Sequence, residues 1–162
     1  GAISYVSGTS ELDNLVDADS NPVIAGSLIY AVNYQGNLNI FDQSQKRSIW
    51  KSEASSFYSP VITKGLIIVV ENNSKIITYS NKTLEESWSS DEYLNRSLSN
   101  PISFKGNLLV GDNEGYLHII NPINGKTVGR KKISKQPLKY LSSRGNAIYV
   151  VDDSFSLFSL SL

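Results

Sequence analysis

The stretch SNPVIAGSLIYAV, Ser20 to Val32, sets the architecture. Pro22 opens a short apolar run, Gly26 interrupts it, and a second run follows from Leu28 to Val32. Proline lacks an N–H and is tolerated at the first residue of a strand, while glycine accepts the positive φ of a two-residue reversal. The segment therefore reads as strand, tight turn, strand. A polar turn at Tyr34-Gln35-Gly36 leads into an alternating strand carrying Leu38 and Ile40, and a more polar fourth strand follows from Arg47 to Lys51.

The same unit recurs as YSPVITKGLIIVV (58–70), SNPISFKGNLLVG (99–111) and KQPLKYLSSRGNAIYVV (135–151). The prolines Pro22, Pro60, Pro101 and Pro137 are spaced by 38, 41 and 36 residues, and Gly65, Gly106 and Gly145 match Gly26. Further fourth strands are read at 85–89 and 126–132, and the last repeat reaches Leu162 without one. A period near 40 with four short strands per unit fits a β-propeller blade, whose small twisted sheet buries both faces only between neighbours. A two-sheet sandwich is the competing all-β arrangement, but its strands need not recur in register with the same Pro and Gly. The expected fold is all-β: about four four-stranded antiparallel blades and essentially no helix. The chain divides into an N-terminal strand and loop (1–20), blades at 21–54, 55–96 and 97–133, and an incomplete blade at 134–162, within one partial propeller domain over 1–162. Ile3, Tyr5 and Val6 form a β-prone segment that either completes the last blade or belongs to a preceding one.

With 15 basic and 15 acidic residues in 162, the chain has no net field to attract nucleic acid. It contains no Cys, which removes disulfides and thiol chemistry. It contains no Met and begins at Gly1, so it is expected to be processed or a fragment. No apolar stretch approaches the roughly 20 residues of a membrane-spanning helix, and the opening residues lack a signal peptide's pattern.

IFDQSQKRSIWK, Ile40 to Lys51, resembles the A-x-D-x-x-x-G-x-x-x-W signature of quinoprotein-type blades, with Asp42 and Trp50 in place and Lys46 at the Gly position. The second repeat keeps Trp88 but has Tyr79-Ser80 at the acid, and the third keeps Gly125 and replaces the Trp by Gly129. SELDNLVDADSNPVIAGSLIYAVNYQGNLNIFD (10–42) and NPISFKGNLLVGDNEGYLHIINPINGK (100–126) resemble the BamB family, lipoprotein subunits of the outer-membrane β-barrel assembly machinery. That resemblance implies about the C-terminal four of eight quinoprotein-like blades. It also implies a periplasmic scaffold at the outer membrane, a lipid anchor upstream of this chain, and binding to the POTRA domains of BamA. It places partner contact at Asp17 and Asp19 in LVDADSNP. Two carboxylates at period two on an extended segment project together and accept charge-assisted hydrogen bonds from Arg or Lys.

The remaining signals read as structural. Asp17 to Leu28 opens like an EF-hand loop, but Pro22 and Leu28 stand where Gly and a bidentate Glu are required, so no calcium is expected. His118, the lone histidine, is expected as a packed or half-exposed strand residue, and Gly125-Lys126-Thr127 as a hairpin turn, not a phosphate loop. Lys126, Arg130, Lys131, Lys132, Lys135 and Lys139 are expected on a solvated outer strand, with a second partner surface or anionic lipid as the alternative. Trp50 and Trp88 are expected between blades. The expected function is non-enzymatic and cofactor-free: a rigid frame presenting loops to a protein partner, with self-association through open blade faces as a second outcome. The rivals are a fragment of a pyrroloquinoline-quinone dehydrogenase and a generic propeller adaptor.

Overall fold

The computed structural model describes residues 20–34 and 36–161, and these residues contain strands and turns but no helix. The first sheet runs β1 (Val23–Ala25), β2 (Leu28–Val32), β3 (Asn37–Asp42) and β4 (Arg47–Glu53) in sequential antiparallel order. The second comprises β5 (Val61–Thr63), β6 (Leu66–Val70), β7 (Ile76–Ser80) and β8 (Glu86–Ser90). The third comprises β9 (Ile102–Phe104), β10 (Asn107–Gly111), β11 (Tyr116–Ile120) and β12 (Thr127–Lys132). The fourth has three strands, β13 (Leu138–Arg144), β14 (Ala147–Asp152) and β15 (Leu157–Ser161). The innermost strands β1, β5, β9 and β13 each touch the next, which is propeller packing.

Alternation along each strand sends successive side chains to opposite neighbours. Tyr30, Val32, Leu38 and Ile40 of the first sheet pack on Ile67, Val69 and Ile77 of the second. The second sheet's other face, Leu66, Ile68, Val70 and Ile76, packs on Leu108, Val110 and Ile120 of the third. Leu109 and Leu117 then meet Leu141, Ile148 and Val150 of the fourth. A middle blade is thus buried on both faces, which is why β6 reads LIIVV and every residue of it is buried. Gly111 ends β10 where Val32 and Val70 end theirs, because a Cβ there would lie 2.5 Å from Cβ of Leu138. Tyr140 and Leu157, on the face of the fourth sheet turned away from the third, are exposed.

Turn chemistry repeats as faithfully as the core. Lys64-Gly65 and Lys105-Gly106 are left-handed at both central residues, as a type I′ hairpin requires. The β3–β4, β7–β8 and β11–β12 pairs each carry a register shift at the same place, Ile40/Phe41, Thr78/Tyr79 and Ile119/Ile120. Such bulges increase local twist. Beyond them Asp42, Ser80 and Asn121 accept backbone N–H bonds from residues two or three ahead and so shape equivalent turns. Lys46, Leu84 and Gly125 follow at φ 54°, 62° and 70°. Because strand direction alternates, the β1–β2 and β3–β4 types of turn all lie at one end of the blades, here called the turn end. The β2–β3 type of turn and the connections between sheets lie at the opposite, loop end.

Candidate interaction surface

The loop end is built from connections cross-tied between sheets. Ser20, Asn21, Phe57, Tyr58, Ser59, Asn100, Pro101 and Tyr140, drawn from all four repeats, surround a cleft of about 300 Å³. The Ser20 hydroxyl donates to the Val32 carbonyl (3.1 Å), and the Ser59 hydroxyl donates to the Asn21 carbonyl (2.7 Å). The Asn100 amide donates to the Leu141 carbonyl (2.9 Å) while its oxygen accepts the Leu141 N–H (2.8 Å). Every tie links consecutive parts of the frame, so the cleft is held without a ligand. Burial pushes the Tyr58 phenol up, with nearby Lys139 acting against it.

Beside the cleft the rings of Tyr34 and Phe57 stack with centroids 4.5 Å apart and planes at 17°, each 53% exposed. The Ser55 hydroxyl donates to the Tyr34 carbonyl (2.6 Å) and accepts from the Asn72 amide (2.8 Å), whose oxygen accepts the Phe57 N–H (3.0 Å). Two large rings are therefore fixed in water before any partner arrives. Rigid exposed aromatics are the side chains that most often dominate protein recognition, because they contribute area at low entropic cost. Neither ring was marked as functional in the sequence, where nothing ties a β2–β3 turn to the following inter-sheet loop. Asp17 and Asp19 lie outside the described residues; they precede Ser20, on the cleft rim, in the sequence.

A second cluster fastens the second sheet's outgoing loop to the third sheet. Asp112 is fully buried; its Oδ1 accepts the N–H groups of Glu114 (3.0 Å) and Tyr116 (2.8 Å). Its Oδ2 accepts from Nε2 of His118 (2.8 Å) and from Arg96 (2.9 Å). Burial would raise the Asp112 carboxyl, but the bonds from His118, the Tyr116 N–H and Arg96, with the nearby His118, bring it below the ordinary aspartate value. His118 also meets the Tyr93 ring edge-on at 5.0 Å, and Tyr93 and Thr127 share a hydroxyl hydrogen bond. Both His118 and Arg96 are engaged with this carboxylate, so the arrangement serves as a latch between blades. The expectation of a packed histidine holds. Its acidic partner, across a hairpin turn, was not foreseen.

Trp50 packs edge-on to Tyr79 at 5.0 Å, and Trp88 donates to the Pro122 carbonyl (2.9 Å), so both indoles lie between blades. Gly125-Lys126-Thr127 joins β11 to β12 as a hairpin. The basic residues 126–139 do not share one strand: Arg130 and Lys132 lie over the Tyr116 ring, whereas Lys139 belongs to β13 and pairs with Asp153 (3.3 Å). Among the described residues no group of three or more His, Asp or Glu is placed to hold a metal ion.

A family model described as outer membrane protein assembly factor BamB matches residues 2–90 and again 59–149. The chain belongs to the BamB family. BamB of Yersinia pestis is 36% identical over 131 residues, 81% of this chain and 33% of that protein. BamB of Legionella pneumophila is 30% identical over 161 residues, 99% of this chain and 42% of that protein. The crystal structure of BamB from Moraxella catarrhalis superposes with a TM-score of 0.83 at 25% identity, covering 90% of this chain and 44% of that one. The chain thus spans well under half the length of these BamB relatives. A computationally designed protein, Ika4, matches with a TM-score of 0.75 at 9% identity over 98% of this chain and 96% of its own, a likeness of fold alone.

Proposed function

We propose that this chain acts as part of a non-enzymatic scaffold in outer-membrane β-barrel assembly, at the periplasmic face of the outer membrane, where the whole protein is held by a lipid anchor. The reading rests on the match to the BamB family model over most of the chain. The loop end supplies a mechanism. Cross-tied connections hold the Tyr34–Phe57 pair and the cleft rigid, so little conformational entropy is lost on binding. The partner is the POTRA region of BamA, with Asp17 and Asp19 accepting hydrogen bonds from its basic side chains and the aromatic pair supplying buried area. The acid pair sets orientation and on-rate, since rim charges contribute about 0.2–1 kcal/mol each.

The test is binding of isolated BamA POTRA domains to the protein and to its Asp17→Lys, Asp19→Lys double variant, with folding checked by circular dichroism. Weaker binding with an intact fold is expected. Equal affinity removes the acid pair from the interface.

A further inference from the structure

The neutral total charge conceals a separation along the blades. At the turn end the described residues expose five lysines, Lys46, Lys64, Lys82, Lys105 and Lys126, and two arginines, Arg47 and Arg144. The exposed acids there are Glu85 and Glu86, while Asp42 is buried and bonded into its own turn. At the loop end the acids Glu53, Glu71, Asp91, Glu92, Glu114 and Asp153 lie among the bases Lys75, Arg96, Lys131, Lys132, Lys135 and Lys139, and the pairs Lys75–Asp91, Arg96–Glu114 and Lys139–Asp153 form. Among the described residues one end of the propeller is basic and the other carries both signs in balance.

Backbone conformation makes the lysines harder to dismiss as neutral surface. Lys46, Lys64 and Lys105 occupy left-handed positions at φ 54°, 48° and 45°, where a side chain with a Cβ is disfavoured and Asn or Gly is the ordinary choice. Lys64 and Lys105 each precede the second turn residue, Gly65 and Gly106, so Asn would complete the preferred Asn-Gly pair. Lysine thus occupies three of the four left-handed non-glycine positions described at this end, Leu84 being the fourth, and strain of this kind motivates a functional reading.

We propose that the turn end is an electrostatic docking surface for a bilayer containing anionic phospholipid. Its composition favours lipid over a protein partner. Protein interfaces are depleted in lysine and enriched in aromatic residues; this end is lysine-rich, and the large apolar side chains left mostly exposed at or beside its turns, Ile24, Ile123 and Val128, are aliphatic. The aromatic rings lie at the other end. Lys64 and Lys105 sit in two-residue turns, and Lys46, Lys82 and Lys126 in the connections of the outer hairpins, so their ammonium groups stand on flexible stems, which suits a plane of mobile headgroups with no fixed pairing geometry. The frame would then rest its turn end on the membrane and direct its loop end to protein, and the two contacts are separable.

The test compares sedimentation of the chain with phosphatidylglycerol–phosphatidylethanolamine vesicles and with phosphatidylcholine vesicles at low and physiological salt. Preference for the anionic vesicles, weakening with salt, is expected. The triple variant K46N/K64N/K105N keeps the left-handed turns and should bind anionic vesicles about a hundredfold more weakly, at about fivefold per cation. K75Q/K139Q, altered at the loop end, should bind as the parent does. Equal binding to both vesicle types, or a triple variant that binds undiminished, overturns the proposal. Binding to polyglutamate without vesicle binding assigns this end to an acidic protein and overturns it equally. Loss of POTRA binding with vesicle binding intact would leave this inference standing while removing the loop-end reading.

Discussion

The ring of Trp88 lies directly over the α-carbon of Gly125: a Cβ at that glycine would fall 2.8 Å from Cε3 of the indole. Gly125 is also left-handed, at φ 70°. The indole needs this clearance because its N–H donates to the Pro122 carbonyl in the same turn. Gly125→Ala is expected to destabilise by about 1–3 kcal/mol through overpacking, with the backbone penalty in addition. Urea unfolding followed by tryptophan fluorescence measures it, and an unchanged midpoint would show that the ring moves aside freely.

Thr78 gives a prediction of the opposite sign. It is fully buried on β7 and its hydroxyl has no hydrogen-bond partner. A buried unpaired hydroxyl costs about 1–3 kcal/mol, and Thr78→Val removes it while keeping the β-branched shape. The variant should be more stable by about 1 kcal/mol, read as a higher urea midpoint with the same slope.

The Asp112 latch predicts an acid-sensitive contribution. Its folded-state carboxyl holds a proton less tightly than the unfolded one. The contribution is therefore complete above the unfolded value near about pH 4 and is lost as pH falls through the lower folded value. Asp112→Ala should cost about 3 kcal/mol at neutral pH, because it leaves buried His118 and the N–H groups of Glu114 and Tyr116 without their acceptor, whereas Arg96 keeps Glu114. Unfolding midpoints taken from neutral pH downward should fall less steeply in Asp112→Asn than in the parent.

Lys46 provides a stability check on the turn end. Lys46→Gly relieves a left-handed side chain at φ 54° and should gain about 1 kcal/mol. A rise in thermal midpoint together with weaker vesicle binding would show a residue kept against the demands of folding.

For the loop end, Tyr34→Ala and Phe57→Ala should each weaken POTRA binding by about 2 kcal/mol or more if the stack is a central anchor. Both rings are half exposed, so the fold should survive, and calorimetric titration separates the two effects.

Much of this was legible because each repeat must solve the same local problems. Pro22, Pro60, Pro101 and Pro137 announce the strands, and Gly26, Gly65, Gly106 and Gly145 mark their hairpins. The degenerate signature became intelligible once Ser80 and Asn121 proved to make the same turn bonds as Asp42, and Lys46 and Leu84 to share the conformation of Gly125. The positions were fixed by geometry, while the residue types able to meet it varied. The stack and the latch were not legible. Tyr34 and Phe57 meet only when a turn of one sheet reaches the loop leaving it, and Arg96 reaches Asp112 across a blade boundary.

From the sequence alone came the all-β architecture, the repeat and its strands, because period-two alternation and obligatory turn residues are short-range requirements written into neighbouring positions. The tertiary structure alone decided which residues share an end of the blades. Strand direction reverses at every turn, so Lys46, Lys64, Lys82, Lys105 and Lys126, far apart in the chain, gather at one end with Glu85 and Glu86 as the exposed acids among the described residues there. The resulting field depends on that folding back and not on the total charge.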